Sequence, residues 1–400
     1  MEADFFSKIS LHKMQTPCYI LDIDGISKRC NELNSIWKKY HGKTKLAYSY
    51  KTNSLKIITG KLKRNKSLAE VVSGQELNYA LQDGYKADEI IFNGSVKFES
   101  ELIQSIKIGV TIQVDSIFEL EQIVKISKRL KIQPKIGIRL AHKINNQTSR
   151  FGIQENEFDK CVALIKKNQL NILGLHLHCG SNITDVNQYI LNLEMLKHFK
   201  NKLESKTFAY INVGGGFPAN SSGKKIDIKT YDLFAKKIVD FLKTNQLLTS
   251  RTLLITESGR SIVEDFGYLV SKVLFQKNVN NSIKLITDTS ITQMSSVRFW
   301  KHDISFVGNT KTNKNVSYDI HGFNCFESDT IGKIINSKII PEYIVVNNCG
   351  GYDIPSNSIW TRNLPSIYVL EGEKIYQLKS TTTHNNLYRE NFSTKKQIVK

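Results

Sequence analysis

The sequence lacks several features that would place it in a specialised class of protein. No apolar run approaches the roughly 20 residues that span a bilayer, and residues 1–14 show neither an apolar core nor a cleavage signal. The six cysteines are scattered, without a CxxC pair or metal-ligand spacing, so we expect neither a disulfide framework nor a metal site. Low-complexity segments and short repeats are also missing. We therefore expect a soluble, cytoplasmic protein without a membrane partner.

Basic residues are in excess, with 56 Lys and Arg against 37 Asp and Glu and a net charge of +19. This charge permits nucleic-acid binding or anionic substrates, but a solvated basic surface also explains it. The lysines are spread along the chain, with modest clusters at Lys61–Lys66, Lys125–Lys131 and Lys395–Lys400. No helix-turn-helix, zinc finger or aromatic RNA platform accompanies them, so we expect no nucleic-acid partner.

The order of the apolar segments predicts a barrel. The chain has 400 residues, which exceeds the usual size of one domain and predicts two. After a first β-type run at Thr16–Asp24, eight further runs alternate with amphipathic segments of helical length. Such alternation indicates βαβ units and a parallel sheet, and eight strands fit a (β/α)8 barrel. The eight predicted strands are TKLAYSYK (44–51), LAEVVS (68–73), IIFN (90–93), VTIQVDS (110–116), KIGIRL (135–140), NILGLHLHCG (171–180), AYINVGGG (209–216) and LLITESG (253–259).

From Gly267 the chain becomes rich in strands and poor in helices, which predicts a separate β domain. The predicted fold class is therefore α/β, with the (β/α)8 TIM-type barrel at residues 36–266 and a C-terminal β-rich domain at 267–400. The N-terminal segment 1–35, with its strand, is expected to join the β domain. The predicted β-domain strands are YLVSKVLFQK (268–277), SIKLITDTS (282–290), YIVVNNCGGY (343–352) and SIYVLEGEKIYQLK (366–379).

Unusual residues stand at the carboxyl ends of four predicted barrel strands, where barrels of this kind carry their chemistry. Taken singly, a strand-end lysine can snorkel, a strand histidine can be a satisfied core group, and glycines can simply make a turn. Four such features at one end of one barrel are not explained in that way. The residues are Lys51 after the first strand, His176 and His178 in the sixth, Gly214–Gly216 after the seventh, and Glu257 with Arg260 at the eighth.

These residues match the requirements of a phosphate-bearing carbonyl cofactor. Consecutive glycines expose backbone N–H groups, and Arg260 adds a charged donor, so this corner can hold a phosphate. An unprotonated Lys51 is a nucleophile that can form a Schiff base. Glu257 can pair with a protonated pyridine nitrogen. We therefore expect pyridoxal 5'-phosphate as the cofactor.

A series of motifs extends this interpretation to most of the chain. In order, they are TPCYILDID, YSYKTN, EVVSGQEL, IQVDSIFELEQI, SRFGI, GLHLHCGSN, INVGGGFP, ESGRSIV and NCFESD. With these motifs, the sequence resembles the fold-type III pyridoxal phosphate decarboxylases related to diaminopimelate and ornithine decarboxylases. The resemblance extends from about Thr16 to Pro365 and depends on the order and spacing of the motifs.

The resemblance implies roles for individual residues. Lys51 would be the Schiff-base lysine, and Cys325 would protonate the substrate carbon, reaching the site from the partner subunit of a homodimer. Asp288 and Asp329 would be substrate-binding positions. The implied cofactor-binding residues are Lys51, Arg139 near His178, His178 on the ring, Ser181 at the phosphate, Gly214, Gly215, Gly216, Glu257 at the ring nitrogen, Gly259, Arg260 and Tyr352.

The loop after Cys325 departs from the family pattern. Relatives place an acidic residue directly after the cysteine, whereas here Phe326 stands there and Glu327, a further candidate for substrate binding, follows. In relatives this loop contacts the far end of the substrate, so a plain distal ammonium or a free diaminopimelate end is not expected. The basic charge and Arg298 favour distal carboxylates. The siderophore branch fits this expectation, notably N-citrylornithine decarboxylase of rhizoferrin biosynthesis.

Other functions remain open at this point. The chain could be a diaminopimelate, ornithine or lysine decarboxylase. An amino-acid racemase on the same barrel would need a second base. A cofactor-carrying regulatory protein without catalysis would have little second domain, which the length of chain after the barrel disfavours.

Overall fold

The structure is a computed structural model that describes residues 6, 9–144, 147–204, 207–280, 282–308 and 310–379. The chain forms two compact units, one from Gly25 to Val263 and one from Met1–Asp24 together with Glu264–Lys400. The basic cluster predicted at Lys395–Lys400 lies outside the described residues. No helix in the described part of the chain is long and apolar enough to cross a membrane.

The first unit is a closed barrel of eight parallel strands, as predicted for the fold class. The strands are short, rich in Leu, Ile and Val, and largely buried, as parallel strands covered by helices must be. The last strand closes the barrel by pairing in parallel with the first. The barrel strands span Thr44–Ser49, Leu68–Val71, Ile90–Phe92, Thr111–Val114, Ile136–Leu140, Ile172–Leu177, Tyr210–Asn212 and Leu253–Ser258.

Helices follow the barrel strands and begin at recognisable caps. The hydroxyl of Ser73 accepts a hydrogen bond from the backbone N–H of Glu76, and Ser116 does the same for Glu119. These caps fix where the chain turns from the carboxyl end of a strand into the next helix. The α-helices of this unit span Ile23–Tyr40, Lys56–Arg64, Gly74–Gln82, Glu99–Ile108, Ile117–Leu130, Phe158–Lys167, Val186–Leu203, Ile228–Thr244 and Arg260–Val263.

The ring of Tyr210 fills the amino-terminal part of the barrel interior. It packs in a cluster of apolar side chains, and its hydroxyl accepts a 2.9 Å hydrogen bond from Gln113 Nε2. A Cβ on Gly174 would collide with the ring, and one on Gly137 would collide with the hydroxyl of Tyr210 and with Oε1 of Gln113. The barrel interior is therefore a packed core below the mouth.

The helix Ile23–Tyr40 lies mainly in the barrel unit, which begins at Gly25, whereas the sequence prediction assigned residues up to 35 to the β-rich part. Packing explains this difference. Cys30 and Leu33 of this helix are buried, and Asn65 Nδ2 donates a 2.9 Å hydrogen bond to the carbonyl of Ser27. A helix whose apolar side packs on barrel residues belongs with the barrel.

The second unit is built on a sheet of nine strands. The N-terminal strand Cys18–Asp22 pairs antiparallel with Gly267–Val279 and parallel with Ser366–Glu371, so it joins the β-rich unit as predicted. One side of the sheet buries a core that includes Tyr19 and Ile344. The other strands of this sheet span Ser282–Thr287, Ile304–Val307, Thr310–His321, Thr330–Ile340, Tyr343–Val346 and Lys374–Lys379.

Candidate active site

The carboxyl ends of the barrel strands surround a cavity of about 580 Å³. Residues from six different strand ends line it. The predicted residues in its lining are Lys51, Arg139, His176, His178, Ser181 and Glu257. The structure therefore brings together side chains that are up to about 200 residues apart in the sequence.

Lys51 lies in a short turn directly after the first barrel strand. Its Nζ is 3.5 Å from Oε1 of Glu70, a fully buried residue of the second strand. Glu70 also accepts hydrogen bonds from the hydroxyl of Ser49 and, at 3.0 Å, from Nδ2 of Asn93. The amine is thus held at the barrel mouth beside a carboxylate whose position is fixed by neighbouring donors.

Glu257, near the end of the eighth strand, is surrounded by polar groups. Its Oε1 accepts hydrogen bonds from Asn212 Nδ2 at 2.5 Å and Asn93 Nδ2 at 2.7 Å, and its Oε2 is 3.2 Å from His176 Nε2. Burial acts to raise the pKa of Glu257. His176, Asn212 and Lys51 act in the opposite direction and together outweigh burial, so the pKa lies below its usual value. The carboxylate is therefore ionised and suited to face a cationic ring nitrogen.

His178 presents a neutral ring to the cavity. Burial, followed by the charges of Lys51 and Arg139, holds the pKa of His178 well below its usual value. Its Nδ1 is 3.1 Å from the backbone N–H of Gly215 and accepts that hydrogen. The proton of the neutral ring therefore resides on Nε2, and the flat face is available for stacking.

Arg139 is oriented by a carboxylate and an aromatic ring. Its Nη1 donates a 2.7 Å hydrogen bond to Asp115 Oδ1, and its guanidinium lies 5.0 Å from the centroid of Phe151. Both Arg139 and Asp115 are buried, so the pair is rigid and shielded from water. The guanidinium is held beside His178, as the resemblance implies.

The glycine run after the seventh strand makes a turn that other residues would disturb. Gly214 and Gly216 have φ angles of +67° and +86°, in the left-handed region. A Cβ on Gly215 would collide with the carbonyl oxygen of Glu257, and one on Gly216 with that of Gly180. The turn therefore brings bare backbone close to the eighth strand and to the cavity wall.

Hydroxyl and guanidinium donors lie near this turn. Arg260 begins the short helix after the eighth strand, and its Nη1 is 3.4 Å from Ser221 Oγ. The preceding Gly259 packs against Thr52 so tightly that a Cβ would collide with the hydroxyl. Ser181 is exposed on the cavity wall. These donors and the backbone N–H groups of the turn suit a phosphate.

Four buried polar residues of the site were missed by the sequence interpretation. Each stands within or just after a barrel strand, where a polar residue in an apolar run was the available signal. LAEVVS contains a carboxylate, and IIFN and VTIQVDS end in polar residues. The four residues are Glu70, Asn93, Asp115 and Asn212.

The remaining predicted residues belong to the β-rich unit. Cys325 is an exposed free thiol on the loop before strand Thr330–Ile340, and Glu327 on the same loop is also exposed. The ring of Phe326 stacks on that of Trp360, with centroids 5.3 Å apart and planes 19° apart. The position directly after Cys325 is thus part of an aromatic pair.

The two predicted aspartates of this unit are engaged in local hydrogen bonds. Asp329 is 2% exposed and accepts hydrogen bonds from the backbone N–H groups of Ile291 and Asn324 at 2.9 and 2.8 Å. Asp288 accepts two hydroxyl hydrogen bonds of 2.6 Å each. Asp329 therefore shapes the loop that carries Cys325, whereas Asp288 joins Thr16 to Ser271, and the predicted roles of both toward a substrate stay predictions.

Two other predicted residues of the β-rich unit are Arg298, which is exposed, and Tyr352, which has an unusual backbone conformation. Arg298 is exposed at the end of the turn Ser295–Arg298, where its guanidinium is open to solvent. Tyr352 has a φ of +70°, which is a strained conformation for a residue with a side chain. The predicted role of Tyr352 toward the phosphate stays a prediction.

The barrel residues fit pyridoxal phosphate. Lys51 supplies an amine for the carbonyl group, Glu257 an ionised carboxylate for the ring nitrogen, and His178 a neutral flat face. The turn Gly214–Gly216 and Arg260 supply donors for the phosphate. All of these groups belong to the barrel unit.

Comparison with known proteins agrees with this fit. The family model described as the pyridoxal binding domain of pyridoxal-dependent decarboxylases matches residues 26–264. The diaminopimelate decarboxylase of Methanocaldococcus jannaschii is 25% identical over 408 residues, which cover 96% of this chain and 93% of that protein. The diaminopimelate decarboxylase of Bacteroides thetaiotaomicron is 27% identical over 377 residues, covering 89% and 95%.

A solved structure shows the same fold along nearly the whole chain. The crystal structure of a mutant diaminopimelate decarboxylase from Helicobacter pylori, complexed with L-lysine, superposes with a TM-score of 0.82 at 25% identity. The match covers 95% of this chain and 97% of the other. The barrel and the β-rich unit therefore both have counterparts in that enzyme.

Proposed function

Because the chain belongs to the family of pyridoxal-dependent decarboxylases, we propose that it removes the α-carboxylate of an amino acid with distal carboxylates, most specifically N-citrylornithine. The reaction class is that of a pyridoxal-phosphate-dependent carboxy-lyase. The observation that carries the choice of substrate is the stack of Phe326 on Trp360 beside Cys325. An aromatic pair offers no carboxylate to a distal ammonium.

The barrel residues would hold the cofactor in a reactive state. Bound pyridoxal phosphate supplies an electron sink for the electron pair that departing carbon dioxide leaves behind. The ionised Glu257 would keep the ring nitrogen protonated, and neutral His178 would pack on the ring without opposing that charge. Lys51 would bind the carbonyl carbon covalently and then exchange with the substrate amine.

Cys325 would complete the reaction. When the bond between the α-carbon and the carboxylate breaks, carbon dioxide leaves and the α-carbon needs a proton. The thiol of Cys325 would donate it, forming a C–H bond, and would regain a proton from solvent, to which it is exposed. By the resemblance, this thiol reaches the site from the partner subunit, so we also propose a homodimer with shared active sites.

The distal end of the substrate would meet the loops of the β-rich unit. Phe326 and Trp360 offer an aromatic surface there, and the exposed Arg298 offers a cation that can pair with a carboxylate. Asp329 would act by holding the loop that carries Cys325, and Asp288 and Glu327 would contact a hydroxyl or amide of the substrate. We further propose a cytoplasmic location, where pyridoxal phosphate and free amino acids are both present.

Diaminopimelate is the second candidate substrate. The relatives that match nearly the whole chain are named diaminopimelate decarboxylases, at 25% to 27% identity. A diaminopimelate end carries both an ammonium and a carboxylate, so it could also use Arg298. It would lack an acidic partner directly after Cys325.

The test compares decarboxylation rates of the purified holoprotein. N-citrylornithine, ornithine, lysine and diaminopimelate are supplied separately, and release of carbon dioxide is measured. N-citrylornithine should have the highest kcat/KM. Faster turnover of any of the other three would overturn the proposed substrate and leave the decarboxylase assignment intact.

Two variants test which residues determine the preference. Phe326→Glu should lower kcat/KM for N-citrylornithine and raise it for substrates with a free distal ammonium, whereas Phe326→Leu should not raise the latter. Arg298→Ala should lower kcat/KM for N-citrylornithine by about tenfold, the effect of losing one charge-assisted contact of about 1.5 kcal/mol. Arg64→Ala, at an exposed arginine of helix Lys56–Arg64, is the matched control.

A further inference from the structure

Asn93, just after the third barrel strand, connects two carboxylates that face different parts of the cavity. Its side chain is buried, and its Nδ2 donates hydrogen bonds to Glu70 Oε1 at 3.0 Å and Glu257 Oε1 at 2.7 Å. Glu70 lies beside the amine of Lys51, whereas Glu257 lies beside the ring of His176. One uncharged amide nitrogen therefore bridges the carboxylate at the lysine and the carboxylate at the ring-nitrogen position.

The chemistry of the amide suits this bridge. An amide nitrogen carries two hydrogens and no charge, so it can donate to two carboxylates without neutralising either. Two carboxylates in a site from which water is excluded repel each other strongly, and a shared donor reduces that repulsion. Oδ1 of Asn93 is buried and has no hydrogen-bond partner among the described residues, so the two carboxylates alone orient the amide.

We propose that Asn93 is a positioning residue that couples the Lys51–Glu70 pair to Glu257. Through this bridge, the protonation of the lysine linkage and the charge at the ring nitrogen respond to each other. The inference rests on the proposed functions of Lys51 and Glu257 toward the cofactor. Among the described residues, other charged or titratable groups act on this network, namely Glu76, Arg139, His176, His178, Tyr189 and Tyr210.

Replacement of Asn93 should change a spectroscopic property of the holoprotein. Asn93→Asp keeps the shape of the side chain and adds a carboxylate. The carboxylate favours the protonated form of the Schiff base between Lys51 and the cofactor, so the pKa read from the cofactor absorbance should rise by about one unit. In Asn93→Ala, Glu70 loses a donor and attracts the linkage more strongly, so this pKa should rise by less. Asn93→Ser keeps one donor and should stay nearer to wild type.

The experiment titrates the absorbance of each purified holoprotein from pH 5 to pH 10 and measures the cofactor Kd by adding pyridoxal phosphate to apoprotein. The Kd should increase about tenfold in Asn93→Asp, because Glu257 loses one hydrogen bond and gains a charged neighbour. Asn93→Ala should also be made in a Glu70→Gln background. Its effect on the spectral pKa should then disappear, because Asn93 acts on the lysine through Glu70.

The outcomes separate this inference from the proposed function. If wild type binds no chromophore at Lys51, the proposed function fails. If wild type is coloured but Asn93→Asp and Asn93→Ala both keep its spectral pKa and cofactor Kd, Asn93 is only a structural residue and the inference is overturned. An effect of Asn93→Ala that persists unchanged with Glu70→Gln would also contradict the proposed coupling.

Discussion

Lys51 shows how a single residue is prepared for chemistry by its place in the fold. It ends a buried strand, and its amine meets the cavity beside the buried Glu70. The carboxylate of Glu70 holds the amine at the cavity, where the carbonyl group of a bound cofactor could reach it. Its reactivity therefore depends on neighbours from other strands.

Lys51→Ala should abolish the absorbance of the bound cofactor, because the covalent attachment is lost. Reduction of wild-type holoprotein with borohydride, followed by peptide mapping, should place the adduct on Lys51. Lys45→Ala is the matched control, since Lys45 is an exposed lysine on the same strand. An adduct mapped to another lysine would contradict the assignment.

His142 gives the protein a predictable sensitivity to acid. Burial, together with Arg139, lowers the pKa of His142 from 6.5 to about 4. Its stabilising contribution is fully present above pH 6.5 and is lost as the pH falls toward 4, because the unfolded chain binds the proton first. A difference of about 2.5 pKa units corresponds to about 3 kcal/mol.

His142→Asn should therefore lose about 3 kcal/mol less of its free energy of unfolding than wild type between pH 7.5 and pH 4. Urea unfolding at a series of pH values measures this difference. His12→Asn, at an exposed histidine, should follow the wild-type pH dependence. If His142→Asn and wild type lose stability in parallel, folding does not lower the pKa of His142 and the expectation is wrong.

At the scale of elements, the glycine turn after the seventh strand is the most constrained segment of the site. Gly216→Ala should destabilise the apoprotein by about 1–3 kcal/mol, because a Cβ would meet the Gly180 carbonyl at an unfavourable φ. It should also weaken cofactor binding. Urea unfolding and cofactor titration measure the two effects.

Gly42→Ala is the control for this substitution. Nothing lies within 4 Å of a Cβ at Gly42, so its free energy of unfolding should stay within about 1 kcal/mol of wild type. Equal stability and cofactor affinity for the two variants would mean that the turn after the seventh strand tolerates a side chain.

The elements differ in how well the sequence predicts them. The eight barrel strands were predicted because buried parallel strands are short apolar runs separated by helices. Strand Thr310–His321 was not predicted. Its first half is polar, and only Val316, Tyr318 and Ile320 show the alternation of a half-buried strand.

The site was predictable where residue type and strand position were both informative, as at Lys51 and Glu257. Its internal connections were not predictable. Asn93 and Glu257 are 164 residues apart, and they meet only because the barrel closes. A linear pattern identifies which residues stand at strand ends but contains no information about which ends become neighbours.

At the scale of the whole molecule, the proposed catalytic residues are divided between the two units. Lys51 belongs to the barrel unit and Cys325 to the β-rich unit. The resemblance implies that the thiol serves the barrel of a partner subunit. The exposure of Cys325 within one chain is consistent with such an arrangement.

Mixing inactive Lys51→Ala with inactive Cys325→Ala should restore part of the activity, because a heterodimer would contain one site with both native residues. Random pairing makes about half of the dimers heterodimers, and each heterodimer has one intact site out of two. The mixture should therefore regain about one quarter of the wild-type activity. Carbon dioxide release after subunit exchange, with heterodimers verified by two affinity tags, measures this. Verified heterodimers without activity would refute a shared site.

The packing of Tyr210 against Gly137 and Gly174 also limits the order in which this barrel can change over generations. While the tyrosine is present, a Cβ at either glycine position would collide with it, so substitutions at both positions are selected against. A smaller residue at 210 must appear first, and it would leave a void until a second change fills it. A lineage that has lost the tyrosine should therefore be the one in which a side chain appears at 174, whereas position 137 also requires a change at Gln113, whose Oε1 would lie 2.5 Å from a Cβ there.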